Sequence, residues 1–321
     1  MKAQLLTSAT LFTALATALP AADPVLVNLV GPDAKVLAGV NVQQAKGTLF
    51  GQYVLTQIQT NNSDMQQLIA LTGFDPTRDV TETLVASSGA PETGLALARG
   101  NFDVAKITAA ASLKGAVTET YNTVNILEDP KQTHGLAFLD ASTAVAGDLA
   151  SVKGAIDRQH GGQGLPSTVV VKINDLSTTY DAWVLCTVPP ASLAPANAAP
   201  KGNGQVPPAF QSVQSANGGV KFGANVVFTG QAAADTAQNA TTLGDMVKLL
   251  INLAQMNASK DPQAAQLAQQ VQVSASGNLL TVTLSLPEDQ FQQLVKFGKN
   301  GMGGAAGHGR IGVREAPPRK Q

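Results

Sequence analysis

The stretch TGLALARGNFDVAKITAAA, from Thr93 to Ala111, changes its hydrophobic period in the middle. Its first part alternates as a β-strand does, whereas Val104 and Ile107 begin a series with the spacing of one helical face. Gly100 permits a sharp exit from the strand. Asp103 is suited to accept a hydrogen bond from the free amides of the first helical turn. We therefore predict that this polar break is a strand-to-helix joint, because a phosphate-binding loop would need several convergent backbone amides.

The same succession of strands and helices recurs through the N-terminal half of the chain. Alternating or apolar runs predict strands over KVLAGVNV, TLVASS, TGLALARG, AVTETYNTVNILE and HGLAFL. GAPE, between TLVASS and TGLALARG, suggests a hairpin. Helical spacing predicts helices from Leu49 to Ile58, from Asp64 to Thr72, and after Asp148, which stands at an N-cap position.

The C-terminal half shows related patterns. DAWVLCTV and VQVSAS are predicted strands, and VKFGANVVFTG is predicted to be one strand because its apolar residues alternate from Val220 to Phe228. The run from Val169 to Ile173 is compatible with either a strand or a helix. Asp235 and Gln238 resemble a capping box that opens a helix. The apolar stripe of that helix comprises Leu243, Met246, Val247, Leu250 and Leu253. LLTVTLSL then predicts a strand, and the proline after it opens a last helix.

These patterns predict an α+β fold, because antiparallel strands are combined with helices that follow them. We expect two lobes, residues 23–165 and 166–298, each a mainly antiparallel sheet with helices packed on one face, and the recurrence suggests an old duplication. The Pro- and Ala-rich segment 189–208 is typical of an extended insert. Residues 299–321 are rich in glycine and lack a hydrophobic period, so a disordered tail is expected.

The composition predicts a globular protein with a largely uncharged surface. Charged residues make up 13% of the chain, about half the usual share, and the formal net charge of −1 argues against general nucleic-acid binding. Residues 1–22 place Lys2 before an apolar run and small residues, as an export signal does, with cleavage after Ala18 or Ala22; a buried N-terminal helix is the alternative. The run is too short for a membrane span. We expect a periplasmic or extracellular protein without stable membrane insertion after cleavage.

Few residues in the sequence form a pattern typical of a catalytic, metal-binding or cofactor-binding site. The single cysteine, Cys186, lies in an apolar strand pattern and is interpreted as a core residue. The best polar cluster is EDPKQTH, in which Glu128, Asp129 and His134 share one predicted hairpin loop. These three are the candidate catalytic residues or weak cation ligands, although a solvated turn favours the same residue types. Neither metal-ligand spacing nor a cofactor motif is found, since GMGGAA follows a helix rather than a strand.

Five segments carry a resemblance to known proteins. TGFDPTRDV, GLALARGNFDVAKI, GLAFLDASTAVAGDLASVKGAID, YDAWVLCTVP and LLTVTLSLPEDQFQQL resemble an uncharacterised family of exported bacterial proteins. The resemblance covers residues 35–297 and implies export and two strand-and-helix lobes. It implies no activity and supplies no site residue.

The lack of a convergent chemical constellation favours a non-catalytic exported protein with a structural or binding role. Its uncharged polar surface would contact a protein or an envelope component. The alternative is a hydrolase or a metal-assisted enzyme whose site is assembled from distant residues, with Glu128, Asp129 and His134 as the nearest candidates. Inhibitor or chaperone action, in which a sheet edge accepts a peptide, is a third hypothesis.

Overall fold

Twelve antiparallel strands form one continuous sheet in the computed structural model, which describes residues 22–60, 63–193, 208–256 and 262–291. The strands are β1 (Val36–Val40), β2 (Val80–Ser87), β3 (Leu95–Gly100), β4 (Val117–Tyr121), β5 (Val124–Glu128), β6 (His134–Asp140), β7 (Thr143–Asp148), β8 (Ala182–Cys186), β9 (Val213–Lys221), β10 (Asn225–Ala234), β11 (Val271–Ser276) and β12 (Leu279–Pro287). Their order across the sheet is β11-β12-β10-β9-β8-β1-β2-β3-β7-β6-β5-β4.

Eleven α-helices with both ends inside the described residues accompany the sheet, and a further helix begins at Glu288. They are α1 (Pro24–Leu29), α2 (Val42–Lys46), α3 (Leu49–Thr60), α4 (Ser63–Thr72), α5 (Pro76–Asp79), α6 (Val104–Leu113), α7 (Leu149–Gln159), α8 (Ser167–Thr179), α9 (Pro208–Gln211), α10 (Ala237–Met256) and α11 (Pro262–Gln269). A short 3-10 helix, Pro190–Leu193, follows β8. None of these helices is long and apolar enough to cross a bilayer.

The order of strands is the same on both sides of the central pair β1–β8. Outward from β1 the sheet runs β1-β2-β3-β7-β6, and outward from β8 it runs β8-β9-β10-β12-β11. A helix precedes each central strand, α1 before β1 and α8 before β8, and α6 and α10 follow the third strand of each half. The hairpin β4–β5 has no counterpart in the second half among the described residues and extends the sheet beyond β6.

One side of the sheet, called face A, carries the largest core. Because side chains alternate along a strand, Leu37, Leu84, Leu97, Val145 and Leu185 all point to this side, and all are buried. They pack against α1, α7 and α8 in one apolar cluster. Face A turns polar at β9–β12, where its positions are mostly serine, threonine, asparagine and glutamine.

Two glycines let aromatic rings lie directly on the strands of face A. A Cβ added to Gly39 would lie 2.5 Å from the ring of Trp183, and one added to Gly219 would lie 2.2 Å from the ring of Tyr180. Trp183 is paired with both glycines in the register of β1, β8 and β9. The buried indole therefore lies across the contact between the two halves.

The opposite side, face B, is covered at two separate places. In the first half, Phe102 and Ile107 pack over Ala98, Ala144 and Phe138. In the second half, α10 packs over Ala232, Leu280 and Val282, mainly through Leu243 and Val247. The prediction of helices on one face of each lobe is therefore wrong for both halves. In the first half α1 and α7 lie on face A and α6 on face B, and in the second half α8 lies on face A and α10 on face B, because the helix after the third strand of each half needs a second apolar surface.

The joint between β3 and α6 is confirmed. The Asp103 side chain accepts a hydrogen bond from the backbone N–H of Lys106 at 3.1 Å, and α6 starts at Val104. Asp148 caps α7 in the same way through Ser151. The run from Val169 to Ile173, whose sequence is compatible with a strand or a helix, lies within helix α8 (Ser167–Thr179).

Two predictions for the second half are wrong in detail. VKFGANVVFTG is not one strand but the end of β9, a turn around Gly223, and the first part of β10. The alternation continues through the turn, so the apolar pattern cannot reveal it. The cap of α10 is shifted by one residue, because the Thr236 hydroxyl accepts a hydrogen bond from the N–H of Asn239. The predicted signal before Ala22, most of the insert and the tail lie outside the described residues.

Candidate functional site

Among the described residues, no element covers face B in the middle of the sheet. One residue from each of six adjacent strands lies there in register, and we call this row the apolar strip: Ala96, Val85, Ala38, Val184, Gly218 and Gly230. It crosses β3, β2, β1, β8, β9 and β10 without a polar side chain. At ordinary interstrand spacing the row is about 24 Å long.

Most of the apolar strip is open to solvent although it belongs to the centre of the sheet; within it Gly218 is buried. The exposed fractions of Val85 and Val184 are 47% and 45%. A Cβ added to Gly230 would meet no atom of the described residues within 4 Å. Side chains this apolar, on the central strands of a sheet, are normally buried. Packing alone does not explain their exposure.

Two depressions flank β1 along the strip. The larger, of about 660 Å³, lies over β8, β9 and β10 and is bounded by Pro190, Leu193 and Phe228. The smaller, of about 420 Å³, lies over β2, β3, β7 and β6 and is bounded by Phe74 and Phe102. Neither contains a charged side chain among the described residues. Volumes and apolar linings of this kind are typical of small-molecule sites.

Aromatic residues form walls at both ends. Phe102 lies between Phe74 and Phe138, at ring separations of 5.5 and 5.4 Å. At the other end Phe291 contacts Phe228 at 5.0 Å and Phe50 at 4.6 Å. These walls are fixed by ring–ring packing. They confine the strip without covering it.

The three candidate residues from the sequence do not meet around one cavity. Glu128 is paired with Gly135, so it points to face A, whereas the neighbouring His134 points to the other side. Asp129 lies in the loop and accepts hydrogen bonds from the N–H groups of Thr133 and His134 at 2.7 and 2.8 Å. The bond from His134 is the main cause that lowers the pKa of Asp129. Asp129 therefore acts as a turn cap in this structure.

Glu128 belongs to a different cluster, between β4, β5 and α7. It is 4% exposed, and its Oε1 has no hydrogen-bond partner within the described part of the chain. A hydrogen bond with Glu119, and then burial, raise the pKa of Glu128. Lys153 forms an ion pair with Glu119 at 2.7 Å, and its hydrogen bond is the main cause that lowers the pKa of Glu119. The two carboxyl groups are thus arranged to share one proton.

Other candidate chemistry is not supported by the described residues. No group of three His, Cys, Asp or Glu side chains there is placed to hold a metal ion. Cys186 is buried and its thiol donates to the carbonyl oxygen of Val188, as expected for a core residue. Arg99, in the polar break, pairs with Asp23 at 2.7 Å.

The apolar strip was not recognised in the sequence. Each of its residues falls in an ordinary strand pattern, and small residues such as Ala38 and Gly218 are usual in a core. Only the register across six strands, and the position of the covering helices, distinguish an open strip from a buried one. Val85 and Val184, which both pair with Ala38, carry the one usable signal, since alternation places them on the face opposite the large apolar residues.

The fold resembles that of a protein from the bacterium Treponema. Crystal form III of TP0453 has a TM-score of 0.53 and 9% sequence identity, covering 84% of this chain and 96% of that one. Crystal form I has a TM-score of 0.52 with the same identity and coverage. At this identity the likeness shows the fold alone. Comparisons with protein-family models and with curated proteins found no match.

Proposed function

We propose that this chain is an exported, non-catalytic binding protein that holds the apolar chain of a lipid-like ligand on the apolar strip. The observation that carries the proposal is an uncharged row of small side chains, half exposed at Val85 and Val184, in the middle of a sheet. Covering this surface with hydrocarbon removes it from water, which is the main source of affinity for such a site.

The shape of the strip favours an extended chain over a bulky ring system. The floor consists of alanine, glycine and valine, so it is long and shallow between the aromatic walls of Phe102 and Phe228. An unbranched chain can follow such a floor for its whole length. Because each buried methylene contributes about 0.8 kcal/mol, each additional methylene should lower the Kd about fourfold.

The proposal is tested with a dansyl-labelled fatty acid as probe and unlabelled fatty acids of increasing length as competitors. Gly230→Phe places a ring in open space on the floor of the strip, and we expect it to raise the Kd at least tenfold. Gln231→Phe is the matched control, because residue 231 follows on the same strand and points to face A. We expect it to bind as the unsubstituted protein does.

Three results would contradict the proposal. They are the absence of saturable binding, an affinity that does not change with chain length, and equal effects of the two phenylalanine substitutions. Turnover of an ester or peptide substrate that is lost in Glu128→Gln would contradict its non-catalytic part. That result would instead support the hydrolase hypothesis.

We further propose that the two halves arose by duplication. The matching strand order supports this, as do the equivalent positions of α1 and α8 and of α6 and α10. The register pair Ala38 and Val184 then lies at the centre of the repeat. A site there would be built equally by both halves, as is common where ligands bind between repeated units.

A further inference from the structure

The two edges of the sheet differ in a way that their sequences explain. The edge strand β4 carries Glu119, whose carboxylate pairs with Lys153 on α7. The other edge strand, β11, is six residues long and contains no charged residue and no proline. Charges and prolines are the usual means by which proteins prevent pairing at a sheet edge. The β11 edge lacks both of them.

Within the described part of the chain, no strand pairs with the outer side of β11. Four of its six residues are exposed, and its main described contacts are with β12 and α10. Every second residue of an edge strand directs its N–H and C=O groups outward, so about three donors and three acceptors are available on β11. These groups form a template for one more antiparallel strand.

The first half of the chain shows such a strand in place. In the repeated strand order, β6 corresponds to β11, and the outer side of β6 is occupied by β5, in antiparallel pairing through Ile126, Leu127 and Glu128. The equivalent position in the second half holds no described strand. The fold therefore already accommodates a strand on this edge once.

We propose that the β11 edge pairs with β11 of a second copy, so that two chains form one continuous antiparallel sheet about a two-fold axis. Self-pairing brings no like charges together, because the strand is uncharged. A two-fold axis perpendicular to the sheet also keeps the faces continuous. Val271, Val273 and Ala275 extend apolar face B, and Gln272, Ser274 and Ser276 extend the polar part of face A. This inference does not depend on ligand binding.

The requirement that faces A and B continue from one copy to the other restricts the register in which the two β11 strands can pair. Opposed residues of an antiparallel pair point to the same side of the sheet, so a residue of β11 cannot oppose its immediate neighbour in the other copy. One residue must therefore lie on the two-fold axis and oppose itself. For a centred pairing this residue is Val273 or Ser274.

The first test is the oligomeric state of the purified full-length chain, by light scattering and sedimentation equilibrium over a wide concentration range. We expect a reversible dimer, and a dimer dissociation constant at least tenfold higher in Ser274→Lys, because two lysines meet near the axis. Thr118→Lys, on the exposed opposite edge β4, is the matched control and should leave the dimer unchanged. A thermal melt of each variant shows whether it is folded.

The second test does not depend on how well the lysine variant folds. Single cysteines are introduced at each position from 272 to 275 and the protein is oxidised. A cysteine that opposes itself lies within disulfide reach of its copy, so we expect a covalent dimer at the one position that lies on the two-fold axis, and none for Thr118→Cys. A chain that stays monomeric, a dimer indifferent to Ser274→Lys in a folded variant, or cross-linking through Thr118→Cys would each overturn the proposal.

Discussion

Gly39 and Gly230 lie in neighbouring regions of one sheet, but the space next to them differs. A methyl group at Gly39 would lie 2.5 Å from the buried ring of Trp183, whereas one at Gly230 would meet nothing within 4 Å. We expect Gly39→Ala to reduce the free energy of unfolding by about 1–3 kcal/mol, because the indole must move in a packed core. Gly230→Ala should raise it by up to about 0.5 kcal/mol, since alanine has less conformational freedom to lose. Urea unfolding measures both, and equal effects would show that Trp183 does not lie against β1.

Residues whose role is local could be predicted from the sequence. Asp103 and Asp148 were identified as caps because a cap contacts amides only three residues away. Glu128 could not be understood in this way. It is buried through contacts with Glu119 and Lys153, which no local pattern connects to it.

The hairpin β4–β5 and helix α7 enclose the carboxyl groups of Glu119 and Glu128. The stability of the fold should therefore depend on pH. In the fold, the hydrogen bond with Glu119 and burial raise the pKa of Glu128. The stability contributed by its protonated form is complete below the ordinary pKa of 4.5 and is lost as the pH rises through the raised value. Glu128→Gln keeps a neutral hydrogen-bonding group, so we expect a higher Tm than that of the unsubstituted protein at neutral pH. The difference should shrink as the pH falls below 4.5.

A control separates this effect from a change in net charge. Glu92 is exposed in the turn between β2 and β3, and Glu92→Gln should give a Tm difference that varies little over the same pH range. The interpretation is contradicted if Glu128→Gln lowers the Tm at neutral pH, or if its effect on Tm is the same at every pH.

The sequence predicts most strands and helices but not the hairpin β9–β10. Its apolar residues Val220, Phe222, Val226 and Phe228 keep one alternation across the turn. The aromatic rings explain why: Phe222 contacts Phe50, and Phe228 contacts Phe291, on the same face of the sheet. Because the alternating apolar residues on both sides of the turn contribute to one surface, their pattern does not show where the chain reverses.

The predicted α+β class is confirmed, and the twelve strands form one continuous sheet. The order of its strands was beyond the sequence, because β1 and β8 are separated by more than 140 positions and pair through backbone groups that every residue has. The open strip follows from that order. It lies where neither the helices after β1 and β3 nor α10 extend over the central strands.

The continuity of the sheet has a thermodynamic consequence. The core of face A combines α1 and α7 of the first half with α8, Trp183 and Leu185 of the second, and the backbone N–H of Ala22 donates to the hydroxyl of Ser177 at 2.8 Å. Separating the halves would expose this core and the unpaired edges of β1 and β8. We therefore expect one cooperative unfolding transition, in which the calorimetric and van't Hoff enthalpies agree.

Trp183 provides a specific probe of the contact between the halves. It is the one tryptophan of the chain, and its ring lies on β1 at that contact. Its fluorescence reports the separation of β1 from β8, whereas far-UV circular dichroism reports all helices and strands. In urea the two transitions should coincide in midpoint and slope. If residues 23–165 and 166–298 were independent lobes, the fluorescence change would precede part of the loss of secondary structure, and the circular dichroism would show a second step.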